Sequence, residues 1–298
     1  MTQKRVLRPK RPSGLASGTH SSKGLVLSYT GPKPRSIEGA VPAIIDYTYN
    51  GIISAIQDTP PDEISLQLIK VIDSRAAEGE NPVPALKSLI LKDKHQAVKI
   101  GGMIALGYNC LKNPEDLDDT LDALEALFAS QKEESVIAAG LGVLDAIGRS
   151  HIPGVDRAIN RLPEIALKAK NPYIRNGCNL TLGRIGASTP QVADDCVTAM
   201  VPIILNEDDP KVNSFRLTHL SKIICSGNAS LPHLIEIVNG LYGELWGKRQ
   251  DAGAHGGLSA AKVNMYATYG RPAVDATVET MGPQIDLGRQ SKTLWIGQ

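Results

Sequence analysis

The hydrophobic positions of this chain recur at a fixed distance. Val98, Val136, Ile174 and Val212 lie 38 residues apart, as do Leu106, Leu144, Leu182 and Leu220. The same spacing joins Gly101, Ala139, Gly177 and Phe215, and then Asn109, Ile147, Ile185 and Ile223. A second set follows after a break: Leu121, Ile159, Val197 and Ile235; Leu124, Leu162, Met200 and Val238; Leu127, Ile165, Ile203 and Leu241. Positions three apart lie on one helical face. Between the two sets fall turn signals, Asn113-Pro114, Ile152-Pro153, Thr189-Pro190 and Asn228 to Pro232. The pattern therefore predicts four helix–turn–helix units over residues 94–246, each with a buried face that needs neighbours on both sides. Gly102 and Gly140, and Gly148 and Gly186, stand at matched places where adjacent helices approach closely.

The flanks are less regular. Residues 38–93 read as capping helices, a degenerate first repeat whose outer side meets solvent. One helix is expected over 40–57 (Ile44, Ile45, Ile52, Ile53, Ile56), one from Asp62 to about Ala77, and one from Asn81-Pro82 to about Leu91. Residues 1–37 carry Lys4, Arg5, Arg8, Lys10, Arg11, Lys23, Lys33 and Arg35 and no acid, in a Pro-, Gly- and Ser-rich context that does not fold alone. Only Gly24 to Tyr29 could dock as an extended segment. After Gly243 the period stops. Residues 247–298 read as a Gly-rich linker (Asp251 to Gly257) and a C-terminal arm with short helices over 258–267 and 272–281. Trp295, near the end, is a candidate anchor for a partner pocket.

Two short motifs add a family resemblance. Asn171-Pro172-Tyr173-Ile174-Arg175 and Asp209-Pro210-Lys211-Val212-Asn213 resemble the opening of HEAT repeats, and Leu144-Asp145-Ala146-Ile147-Gly148 and Leu182-Gly183-Arg184-Ile185-Gly186 resemble their close. The resemblance covers about residues 94–246. It implies an all-α fold, an α-solenoid of about five stacked hairpins with extended arms at both ends. It also implies a ladder in which Asp209 meets Arg175 of the preceding repeat, and a concave face lined by the second helices.

Composition and charge narrow the function classes. The net charge of +1 hides a basic arm on a body of about −7. On the body, Glu115, Asp116, Asp118, Asp119 and Asp122 cluster with Glu125 at the start of a second helix, where the helix dipole favours acids. Asp156, Asp194 and Asp195 fall near the same place in later repeats. With the implied concave face, this cluster becomes a candidate acidic docking surface for a basic segment, and the basic arm a candidate contact for an acidic one. Cys110, Cys178, Cys196 and Cys225 form no metal-type or CxxC pairing and read as small core residues in a reduced, cytoplasmic setting. The N-terminus lacks the apolar run of a signal peptide, and no segment is apolar enough to span a bilayer. No phosphate loop, nucleotide fingerprint or nucleophile elbow occurs. The six His are scattered, and His219 reads as a hydrogen-bonded core residue. No catalytic residue, metal ligand or cofactor is singled out.

The expectation is a non-enzymatic scaffold or adaptor that binds proteins through its helical surface and is anchored in a larger assembly by its arms. The alternatives are a nucleic-acid-associated protein using the basic arm and, by resemblance, a HEAT-type cofactor-loading factor or lyase.

Overall fold

The computed structural model describes residues 59–76, 81–207, 209–249 and 252–282. The arm residues Lys4 to Arg35, the segment 24–29, the helix expected over 40–57 and Trp295 lie outside them.

Twelve α-helices and no strand occur among the described residues. They are α1 (Ile64–Ala76), α2 (Val83–Lys92), α3 (Gln96–Lys112), α4 (Leu117–Ser130), α5 (Glu134–Gly148), α6 (Val155–Lys168), α7 (Pro172–Ser188), α8 (Ala193–Leu205), α9 (Pro210–Ser226), α10 (Leu231–Arg249), α11 (Ala252–Tyr269) and α12 (Arg271–Met281). Short 3-10 turns, Pro114–Asp116 and Pro190–Val192, lead into α4 and α8. The starts of α7 and α9 show why the Asn-Pro and Asp-Pro pairs recur. The Asn171 and Asp209 side chains each accept the backbone N–H two residues on, both at 2.9 Å, while proline takes the first helical position. That proline lacks an N–H that would have found no partner there.

The helices pack in two rows. Odd-numbered helices touch in succession from α1 to α11, and even-numbered helices from α2 to α12. Further contacts tie the rows together, α7 on both α6 and α8 for instance. The core lies between the rows. Leu106, Leu144, Leu182 and Leu220 are fully buried there, as are Asn109, Ile147, Ile185 and Ile223, and every second-helix position named above is buried as well. The register of Gly101, Ala139 and Gly177 breaks at its fourth member: Phe215 is 48% exposed and meets His219 edge-on, ring centroids 4.6 Å apart.

The short helices expected over 258–267 and 272–281 lie within α11 and α12, but the linker expected over Asp251 to Gly257 is corrected by the structure. Its glycines lie in the first turns of α11, which packs along α9, and Ala254, Leu258, Ala261 and Met265 join the core. They follow Asn213, Leu217, Leu220 and Ile224 of α9, all buried, at a spacing of 41 rather than 38 residues. The three extra residues hide a sixth helix pair from any search at the shorter period. The glycines serve contact rather than flexibility. A Cβ on Gly257 would stand 2.7–2.8 Å from the Leu217 side chain, so only glycine lets α11 lie this close to α9. The Tyr269 hydroxyl closes the pair by donating to the Ala229 carbonyl at 2.6 Å.

Candidate functional site

The charged residues of the two rows differ in sign. Helices α3, α5, α7, α9 and α11, with Arg149 at the end of α5, carry nine Lys and Arg against two Asp and Glu. Helices α4, α6, α8, α10 and α12, with the turn before α4, carry fourteen Asp and Glu against six Lys and Arg. Apolar exposure is also one-sided. Of the seven large hydrophobic residues exposed among the described residues, Leu66, Ile104, Leu111, Tyr173, Phe215 and Val263 belong to the first row and only Leu167 to the second.

The acidic cluster at the start of α4 makes several ion pairs and hydrogen bonds within the molecule. Asp116 accepts from Asn109 at 2.8 Å and from Asn81 at 3.3 Å. Asp118 pairs with Arg157, and Asp122 with Arg161 at 2.5 Å. Arg161 also reaches Glu125 at 3.1 Å, and Lys168 meets Glu125 at 2.7 Å. Asp119 and Glu115 are exposed. Sequence reading missed the basic partners, yet a signal existed. Asp73 and Lys112, Asp118 and Arg157, Asp122 and Arg161, and Asp145 and Arg184 are all paired at a separation of 39 residues. One repeat plus one residue is the offset at which neighbouring helices of a row face each other. Exposed pairs of this kind contribute about 0–1 kcal/mol each, so they fix register more than they stabilise. Between α4 and α6 they border a shallow cleft of about 230 Å³ lined by Asp118, Leu121, Arg157, Asn160, Arg161 and Glu164. That is below the usual size of small-molecule pockets, about 300–1,000 Å³.

The expected Asp209–Arg175 ladder is corrected. Asp209 caps its own helix, and Arg175 donates to the Ala169 and Lys170 carbonyls at 3.0 and 3.2 Å. Between α5 and α7 the link is made by Asp145, buried on α5 and flanked by Arg149 at 2.6 Å and Arg184 at 3.1 Å. Burial raises its pKa against the pull of both guanidiniums.

A second polar group lies inside the first row. Arg216 is 1% exposed, at the register where earlier repeats carry Gly102, Gly140 and Cys178. It pairs with Glu207 at 2.7 Å and donates to the Ile203 carbonyl and the Asn176 side chain. Asn213 donates to the Glu207 carbonyl, and Asn179 to the Arg216 carbonyl. His219, one turn beyond Arg216, is 3% exposed with neither ring nitrogen hydrogen-bonded, which corrects its reading as a hydrogen-bonded core residue. Burial, aided by Lys222, lowers its pKa to about 4. Cys178 and Cys196 are buried, their thiols pushed up to about 12, whereas Cys225 is exposed.

No described helix is long and apolar enough to cross a membrane. Among the described residues, no group of three His, Cys, Asp or Glu is arranged to hold a metal. No family model and no curated protein matches the chain. Among solved structures, a crystal structure of an engineered protein is similar over 74% of this chain and 97% of its own, at 14% identity and a TM-score of 0.37. A likeness that weak carries no argument about fold or function.

Proposed function

We propose that this chain is a HEAT-like α-solenoid that acts as a non-enzymatic scaffold, binding proteins along its outward helix faces and held in a larger assembly by its arms. The observation that carries this reading is the division of charge and apolar exposure between the two rows. Stacked repeats present long continuous surfaces, and large exposed apolar residues gathered on one of them mark an interaction site. The test is cross-linking of the full chain in native extract, read by mass spectrometry. Partner cross-links should fall on outward lysines such as Lys99, Lys211 and Lys222, and should weaken when 1–36 and 283–298 are removed. Cross-links confined to the arms, or turnover of a substrate by groups on the rows, would sink the reading. The cut falls after α12 because removing α11 or α12 would strip side chains from the core.

The basic first row favours a second reading, nucleic-acid association with the arm as a further contact. Phosphate contacts release counterions, so this reading requires duplex or single-strand binding that collapses between low and moderate salt.

A further inference from the structure

A stacked array is held by the joints between neighbouring repeats, so it parts most readily where a joint is least satisfied. Between α3 and α5 the close approach is apolar: a Cβ on Gly107 would stand 2.7 Å from Val143. The matching approach between α7 and α9 brings Gly183 against His219, and the groups around it are polar. Asn176 accepts from the Arg216 guanidinium, and Asn179 donates to the Arg216 carbonyl at 3.1 Å. Arg216, His219 and Ser221 are buried on α9 at the register where α3 carries Gly102, Ala105 and Gly107. On α7 and α9 both ring nitrogens of His219, the side-chain oxygens of Asn179 and Asn213 and the Ser221 hydroxyl are buried without a hydrogen-bond partner. In the first row before α7, among the described residues, only Asp145 Oδ1 is so placed. Each such atom disfavours the closed joint and is satisfied by water once the joint opens.

The joint also responds to acid, because no carboxylate holds a proton on the imidazole. Beside it on α9 are Lys222, which repels a proton, and Arg216, held by Glu207. On α7, Arg184 is held by Asp145 and Arg175 donates to backbone carbonyls. Helix α11 brings His255 and Lys262. Helix α8 brings Asp195, which is exposed, and Asp194, which accepts the Ser230 N–H. Opening frees the ring from burial, so protonation favours the open form. The second row ties the same two repeats through Thr198 and His233, 2.9 Å apart, and through that Asp194 bond. Helix α9 is in turn fixed to α11 by Gly257 against Leu217. We infer that the joint between α7 and α9 is an acid-sensitive hinge, pivoting on the second row, at which protonation of His219 parts α9 and α11 from α7.

In the closed joint burial lowers the His219 pKa to about 4 from an ordinary 6.5, so closure that is favoured above pH 6.5 weakens as the pH falls toward 4. Opening should therefore be about 30-fold more frequent at pH 5 than at pH 7.5. The full chain carrying Asn179→Cys and Cys225→Ser is treated with dithiodipyridine at both pH values. Labelling of each thiol is mapped by mass spectrometry and divided by the rate of free glutathione. The introduced thiol should react at least about tenfold faster than Cys110, which is buried on α3 and reports opening of the whole chain. Its rate should rise about 30-fold at pH 5. Adding His219→Leu should abolish the rise, and adding His233→Gln should leave it. Labelling no faster than that of Cys110, no rise at pH 5, a rise that survives His219→Leu, or one lost in His233→Gln would each overturn the inference. In the unmodified chain, reaction of His219 with diethylpyrocarbonate, taken relative to exposed His151, should rise by a similar factor. An unchanged ratio there overturns the hinge whether or not the Asn179→Cys variant folds.

Discussion

His219 gives a sharp test of how the first row is packed. The residue is buried on α9, its Cβ and backbone close against Gly183 of α7 and its ring edge-on to Phe215, with both ring nitrogens unpartnered. The folded protein therefore refuses a proton that the unfolded chain accepts below its ordinary pKa of 6.5, until the pH approaches about 4. Stability present above pH 6.5 is lost progressively as the pH falls through that window. With these two values, a drop from pH 7.5 to 5 costs about 2 kcal/mol through this one residue. His219→Leu keeps the bulk, removes the titration and removes two buried polar atoms. It should match or exceed the wild type at pH 7.5, by up to about 2 kcal/mol. It should also lose about 2 kcal/mol less than the wild type on acidification. Urea unfolding at the two pH values measures the difference, which cancels the other titrating groups. The His219 ring carbon shifts in an NMR titration report whether the imidazole stays neutral to near pH 4. Equal losses in wild type and variant, or a ring that titrates near 6.5, would refute the argument.

The other predictions concern close packing and buried charge. Gly257→Ala should cost about 1–3 kcal/mol by forcing α11 off Leu217, whereas Gly256→Ala, with open space around it, should gain about 0.5–1 kcal/mol; paired thermal melts compare them. Glu207→Ala should destabilise by about 3–5 kcal/mol because it leaves the Arg216 guanidinium buried without its carboxylate. Arg216→Met should cost far less and relieve much of the loss in the double variant, a coupling that a double-mutant cycle in urea measures.

Much of the helical framework is legible in the chain because burial imposes a period. Each repeat must turn the same face to its neighbours, so Leu106, Leu144, Leu182 and Leu220 recur at one spacing, and Pro or polar turns mark where each helix ends. Cap chemistry is local too, and Asn171-Pro172 and Asp209-Pro210 can be read directly as helix starts. The sixth pair was legible only as two short helices, and its place in the core was not. Three added residues shift its register, and glycine at 253, 256 and 257 has the composition of a linker until α9 is known to lie against it.

The candidate surfaces divide in the same way. That acids gather at the start of α4 is visible in the chain; that Arg157, Arg161 and Lys168 answer them is decided by how α6 lies beside α4. Net charge, a sum over residues, carries no trace of the two rows' opposite signs, because row membership exists only once helices alternate in space. The chain by itself determines which residues must leave water, since that depends on side-chain chemistry and helical period. Which charges meet, which histidine is stranded without a partner and which apolar residues stay outside are settled by the packing of one helix on the next, since pair interactions and shielding from solvent depend on distances that the order of residues does not contain.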